Sequence, residues 1–287
     1  MVRRCVGADG SAGAGRVVEG MTTRELALVT GASSGIGLEL ARELARRGYD
    51  LVVTAEDAAL ETAEGKIREA GDGTDVTTVH ADLRRREGVE EVWAAVGTTG
   101  RPLAVAALNA GLGLGGAFVE NDLEAEQDII DVNITSTVRL AKHVLQHMEA
   151  RHQGRVLVTS SIASQMPGTY QAIYNASKSF LQSFAQAVQA ELEARDSGVT
   201  VTSLMPGPTE TNFFHRAEMD DTKIGASDKD DPAQIARQGI DALLDGKDKV
   251  VAGSLSTRAQ SMANDVLPDK LKAGAHRKMA EPGSAES

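Results

Sequence analysis

Thr30-Gly31-Ala32-Ser33-Ser34-Gly35-Ile36-Gly37 follows the apolar run Leu26-Ala27-Leu28-Val29 and precedes a helical pattern from Leu38 to Arg47. Apolar strand, glycine-rich turn, then helix is how an α/β fold presents a helix N-terminus to a phosphate. A small-residue turn that only reverses the chain is the competing reading. The rest of the sequence has to decide.

Strand and helix patterns alternate on the C-terminal side, which argues for parallel βαβ units. Strands are expected at 26–30, 51–55, 76–80, 103–108, 155–160, 199–204 and 249–252. Helices are expected at 35–47, 57–70 with Asp57 as N-cap, 86–96, 123–150, 170–194 and 232–244. The stretch from Pro206 to Asp231 has no clear period, and a loop this long in a compact domain is usually functional or disordered. Its part from 207 to 231 is a candidate substrate lid. The expected fold is a doubly wound Rossmann-type α/β domain over residues 21–268, with a central parallel sheet of about seven strands and helices on both faces. Residues 1–20, rich in Gly, Ala and Arg, read as a disordered extension, with Met21 as an alternative start. Residues 269–287 read as a charged, then small and polar tail with a loose end.

Composition agrees with a buried sheet. The chain has 287 residues, 41% apolar but only 3% aromatic, so its core must be aliphatic. A formal charge of −11 argues against nucleic acid or an anionic membrane as partner. No apolar run reaches the ~20 residues of a membrane span. The single cysteine, Cys5, makes no internal disulfide, which points to a reducing, cytoplasmic setting.

Ligands of such sheets bind beyond the carboxyl ends of the strands, where strand order reverses. After the first strand, the turn offers backbone N–H groups and the Ser33 and Ser34 hydroxyls to a diphosphate. After the second, Glu56 either accepts from a ribose, repelling a 2′-phosphate, or merely complements a helix dipole. After the third, Asp82, with Leu83 beside it, either accepts from an adenine amino group or caps the next helix. Asn109-Ala110-Gly111 follows the fourth, where Asn can lock backbone and Ala and Gly leave room for a flat ligand. Ser160 and Ser161 follow the fifth, and thirteen residues beyond Ser161 is Tyr174. Tyr174 and Lys178 are four apart on a helix and share a face. A nearby cation depresses the pKa of an acid, which would bring a phenol towards neutrality as an acid or base. Pro206-Gly207-Pro208-Thr209-Glu210-Thr211 follows the sixth and could hold an amide-bearing ring by its polar edge.

Taken together, these motifs resemble the short-chain dehydrogenase/reductase family, in its shorter single-domain branch, from about Arg24 to Ala252. Thr30-Gly31-x-x-x-Gly35-x-Gly37, including Ile36, looks like the cofactor motif. Asp82 matches the adenine-binding acid, and Asn109-Ala110-Gly111 the sheet-stabilising motif, with Leu108 in place of a frequent Asn. Asn133, Ser161, Tyr174 and Lys178 match the catalytic tetrad. Pro206-Gly207, with Thr209 and Thr211, matches the nicotinamide side. The resemblance implies an NAD(P)-dependent oxidoreductase acting on a ketone or secondary alcohol. Tyr174 would be the acid/base, Ser161 would polarise the substrate oxygen, Lys178 would bind the nicotinamide ribose and lower the Tyr174 pKa, and Asn133 would hold a relay water. A homodimer or homotetramer, packed through the long helices, is also implied.

Glu56 departs from the pattern, because many relatives carry Arg there, while NAD users often have Asp at the position of Ala55. NAD(H) is favoured over NADP(H) on charge repulsion. Ile162, Met166, Pro167, Leu112, Leu114, Phe213 and Phe214 are the expected pocket walls, which suits a hydrophobic ketone or alcohol. His143 and His147, four apart, lack a third metal ligand and read as a solvated helix face, and Trp93 reads as core. A non-catalytic cofactor sensor or scaffold is the alternative, though a sensor needs no proton donor. Reduction of an activated C=C bond is a second one, disfavoured by the Tyr-to-Lys spacing and Ser161.

Overall fold

The computed structural model describes residues 24–286; the expectations for residues 1–20 and Met21 lie outside them. Seven parallel strands form one sheet: β1 (Leu26–Thr30), β2 (Asp50–Ala55), β3 (Val76–His80), β4 (Leu103–Leu108), β5 (Gly154–Thr159), β6 (Val199–Pro206) and β7 (Lys249–Ala252). Their order is β3-β2-β1-β4-β5-β6-β7. The order reverses between β1 and β4, so a crevice opens above the ends of those two strands.

Successive strand residues point to opposite faces, and both faces are covered. Ala27 and Val29 pack with Leu40 and Leu44 of α1 (Gly35–Arg46), Leu60 and Ile67 of α2 (Ala59–Ala70) and Ile240 of α9 (Pro232–Leu244). Leu26 and Leu28 pack with Val92 of α3 (Arg86–Thr98), Val144 of α5 (Thr137–Glu149) and Leu181 of α6 (Ala172–Glu193). Burial on two sides explains why β1 and β4 read as continuous apolar runs rather than alternating ones. The doubly wound parallel sheet expected from the sequence is the architecture found.

Three segments differ from their sequence reading. The stretch read as one helix at 123–150 is α4 (Leu123–Ile129), a π-helical turn at Ile130–Ser136, and then α5. Such wider turns are often found at functional sites, and this one carries Asn133. The aperiodic lid segment holds two four-residue helices, α7 (Phe213–Arg216) and α8 (Lys223–Ala226), too short to show a period.

The expected loose tail is the third. The chain continues through α10 (Leu255–Val266) and α11 (Asp269–Ala280) to a short turn at Ser284–Glu286. Ala280 packs in a small core with Phe214, Ala217 and Met219. The Ala285 N–H donates to the Asp221 carbonyl at 2.9 Å, and Gly283 N–H to the Asp221 carboxylate at 2.8 Å. A helix that exposes Lys270, Arg277 and Lys278 shows little apolar period, and its few inward residues meet a segment equally hard to read.

His143 and His147 are also not a simple solvated face. His143 stacks on Trp93, and the His147 Nε2 accepts the Leu103 N–H at 3.2 Å. Among the described residues no group of three metal-binding side chains occurs, and no helix is long and apolar enough to cross a membrane.

Candidate active site

The turn after β1 is shaped by backbone contact. Gly31 has φ +68° and donates to the Thr54 carbonyl at 2.8 Å. A Cβ on Gly37 would stand 2.0 Å from the Gly31 carbonyl oxygen, so the first turn of α1 admits only glycine there. Ser34, at the N-cap of α1, makes no side-chain cap bond, which leaves its hydroxyl and the helix N–H groups facing the crevice. The Ser33 hydroxyl instead donates to Asp57 at 2.9 Å. The other Asp57 oxygen accepts the Ala59 N–H at 3.0 Å, so Asp57 braces the start of α2 just before it.

Asn109 ties three strand ends together. Its side chain donates to the Thr30 carbonyl at 3.2 Å and accepts the Thr159 hydroxyl at 3.1 Å. Thr30 Oγ1 accepts the backbone N–H groups of Asn109 and Ala110 at 2.9 and 3.0 Å. The floor of the crevice is thus fixed across β1, β4 and β5.

Helix α6 is pinned to that floor. The Lys178 ammonium donates to the Thr159 carbonyl at 3.0 Å, and the Ser160 hydroxyl to the Lys178 carbonyl at 2.8 Å. From the other side, buried Asn133 donates to the Ser177 hydroxyl at 2.8 Å, which donates to the Tyr174 carbonyl at 2.7 Å. Asn133 also exchanges two bonds with the Leu112 backbone, at 2.8 and 3.0 Å. It sits beneath the crevice rather than lining it. A Cβ on Gly111 would lie 3.3 Å from both Lys178 Nζ and Asn133 Oδ1, so the glycine keeps the space between them open.

Ser161 and Tyr174 face each other in the crevice. Burial pushes the Tyr174 phenol up to about 12, and the nearby Ser161 hydroxyl, which donates to the Pro206 carbonyl at 3.3 Å, pulls the other way. The sequence reading expects the opposite direction, with Lys178 depressing the phenol. The lysine is aimed at a carbonyl, its ammonium lies 5.7 Å from the Tyr174 ring centre, and burial brings Lys178 itself down to about 8. Desolvation therefore outweighs the lysine's charge at Tyr174.

The crevice end beyond β2 and β3 holds an unforeseen residue nearby, Arg84. Its guanidinium bonds Glu56 at 3.1 Å, Asp82 at 2.8 Å and Asp128 at 2.9 Å. Asp82 takes the Arg84 backbone N–H as well, and the arginine holds its carboxyl below the usual range. Asp82 does not line the crevice, whereas its neighbour Leu83 and Glu56 do.

The crevice is otherwise lined as the motifs imply, by Gly31, Ser33–Gly37, Asn109–Gly111, Ser161, Tyr174, Lys178, Pro206, Gly207, Thr209 and Thr211. Leu112, Ile162, Met166, Phe213 and Phe214 form apolar wall; Pro167 and Leu114, expected there, are not among the lining residues. Ile224, Gln260, His276 and Met279 line it too, from α8, α10 and α11. Sequence reasoning missed these because no motif marks them. The inward spacing of His276 and Met279 on one helix was the only signal.

The short chain dehydrogenase family model matches residues 25–222. The chain is 33% identical over 219 residues to an uncharacterized oxidoreductase of Staphylococcus saprophyticus, covering 76% of this chain and 91% of that protein. It is 34% identical over 193 residues to retinol dehydrogenase 8 of Bos taurus, covering 65% of this chain and 59% of that protein. A solved short-chain dehydrogenase from Sphingobium yanoikuyae, in complex with NADPH, superposes with a TM-score of 0.74 at 26% identity, over 83% of this chain and 92% of that one.

Proposed function

The chain belongs to the short-chain dehydrogenase family, and from that premise we propose that it reduces a hydrophobic ketone to a secondary alcohol, with Tyr174 as proton donor. The observation that carries this reading is the Ser161–Tyr174 pair beside Lys178 in an apolar-walled crevice. A phenol held up to about 12 is protonated at neutral pH, the state needed to protonate a carbonyl oxygen as its carbon receives hydride.

The residues present fit a nicotinamide dinucleotide. The N-terminus of α1 and the Ser34 hydroxyl suit its diphosphate, and the close approach at Gly37 leaves backbone bare there. Pro206, Gly207, Thr209 and Thr211 would hold the nicotinamide, and Lys178 its ribose. When bound, the dinucleotide supplies the hydride. Ser161 orients the substrate oxygen, Tyr174 gives it a proton, and Lys178 with Asn133 returns a proton through the space beside Gly111.

NAD(H) is the proposed cofactor. Arg84 neutralises part of the charge, but it is shared among Glu56, Asp82 and Asp128. A 2′-phosphate would meet the Glu56 carboxylate on the crevice wall, beside an arginine already committed to three acids. A second copy of the chain is the proposed partner, supported by Phe118, Val119, Leu123 and Phe180, exposed around α4 and α6. A sensor would have no use for a buried proton donor with its own lysine, which counts against that alternative.

Parallel titration with NADH and NADPH, followed by a ketone panel with the tighter one, tests the reading. Turnover of apolar ketones with NADH is expected. Activity confined to small charged carbonyl compounds would overturn it.

A further inference from the structure

Helix α11 lies beyond the residues that the family model matches, yet it puts a histidine into the crevice wall. His276 is only 4% exposed. Its Nδ1 lies 2.9 Å from the Thr169 carbonyl oxygen. A carbonyl only accepts, so Nδ1 carries the proton and donates. Burial lowers the His276 pKa, which keeps the ring neutral at pH 7. In that tautomer Nε2 is a lone-pair acceptor. It has no hydrogen-bond partner among the described residues.

The ring is held in place. The Thr169 hydroxyl donates to the Ala273 carbonyl at 3.1 Å, one turn before His276 on α11. The Lys272 ammonium donates to the Gln165 carbonyl at 2.8 Å, and the Tyr170 hydroxyl to Glu281 at 3.2 Å. The loop between Ser161 and α6 is thus fastened along α11, so the position of His276 is coupled to the loop that precedes Tyr174. The apolar Met166, Phe214, Ile224 and Met279 line the same crevice, together with Arg216 and Gln260. A fixed acceptor in an apolar wall discriminates strongly, because a ligand that buries it without supplying a donor leaves it unpaired.

We infer that His276 is a specificity-determining residue, accepting a hydrogen bond from a hydroxyl that the substrate carries in addition to its reacting carbonyl. The substrate class is therefore a hydrophobic hydroxyketone, reduced at the ketone and held by its hydroxyl. This rests on the ketone-reductase reading above and narrows it.

The test compares straight-chain methyl ketones of six to twelve carbons with their terminally hydroxylated counterparts, using NADH. The wild-type protein should favour the hydroxylated member at one chain length by about tenfold in kcat/KM, through KM. His276→Asn keeps a donor for Thr169 but removes the acceptor. It should erase the preference, bringing kcat/KM for the hydroxylated ketone to that of its plain counterpart. His276→Gln, whose amide oxygen reaches the Nε2 position, should restore part of it. Calorimetric binding of the same pairs to the NADH-loaded protein is read in parallel, so the comparison stands even without turnover. Ketone turnover with no hydroxyl preference at any length, or a preference that survives His276→Asn, overturns the inference and leaves the reductase reading intact. Hydroxyl-selective binding without any turnover supports the inference and overturns the reductase reading.

Discussion

The ring of Phe213 lies 5.1 Å from the ring of Tyr174, centre to centre, tilted by 48°. Phe213 opens the short helix α7, so the proposed lid would touch the proposed proton donor directly. The same ring crowds Gly113, where an added Cβ would come within 2.4 Å of it. Burial is the main cause of the raised Tyr174 pKa, and Phe213 supplies part of that burial.

Phe213→Ala should therefore admit water and lower the Tyr174 pKa from about 12 towards its ordinary value of 10.0. NMR titration of ring-labelled tyrosine, with Tyr174→Phe to assign the signal, reads this. An unchanged value would show that the lid ring does not desolvate the phenol.

Lys178 gives a pH prediction of definite sign. Its folded-state value near 8 lies below the ordinary 10.5, so above about pH 8 the folded protein loses this proton while the unfolded chain keeps it. Stability from this group therefore rises with pH between those values. Under the proposed relay, activity should move the other way, because the proton that Lys178 would return to Tyr174 is gone. Reductive kcat/KM should fall above about pH 8, and Lys178→Arg should abolish that limb or shift it upward. A profile flat to pH 10 in the wild type would contradict the assigned role.

Glu56 and Arg84 should set cofactor choice together. Glu56→Gln removes one carboxylate and frees the guanidinium from one partner, which should improve NADPH binding relative to NADH by about tenfold, or about 1.4 kcal/mol. Arg84→Ala should shift the ratio towards NADH. Fluorescence titration of both cofactors reads the two ratios. The same ratio in all three proteins would remove Glu56 from cofactor recognition.

Asn133 makes bonds to Leu112 and Ser177 from a fully buried position. Asn133→Ala leaves the Leu112 groups unpaired and should cost about 1–3 kcal/mol of stability. Denaturant unfolding measures the loss, and turnover should fall further than Tm alone explains. Full activity at a temperature where the variant is folded would limit Asn133 to a structural role.

Much of this was legible in the sequence for a physical reason. Leu26–Thr30 and Leu103–Leu108 are apolar runs buried on both faces, and turn residues close each one. The site residues on strand ends followed from the strands, since Gly31 and Asn109 come directly after them and Ser161 one residue further on. What escaped depends on contacts between distant segments. The π turn at Asn133 has no composition of its own. Arg84 reads as one more surface arginine until β2, β3 and α4 bring three acids around it. His276 sits in a lysine-rich helix whose inward face is defined by the loop before α6 and by the Phe214–Met219 segment, both distant in sequence. The direction of the Tyr174 shift also needed the fold, because spacing brings Lys178 near but cannot say that its ammonium turns to Thr159.

Tyr174→Phe tests the central claim most directly, measured as ketone reduction beside NADH affinity in the same preparation. The phenyl ring keeps the packing against Phe213 and loses only the hydroxyl. Reduction should fall by about 10²-fold or more, the scale of a positioned acid, with NADH affinity within about twofold of wild type. Turnover that survives the substitution would show that the proton comes from elsewhere and would contradict the mechanism.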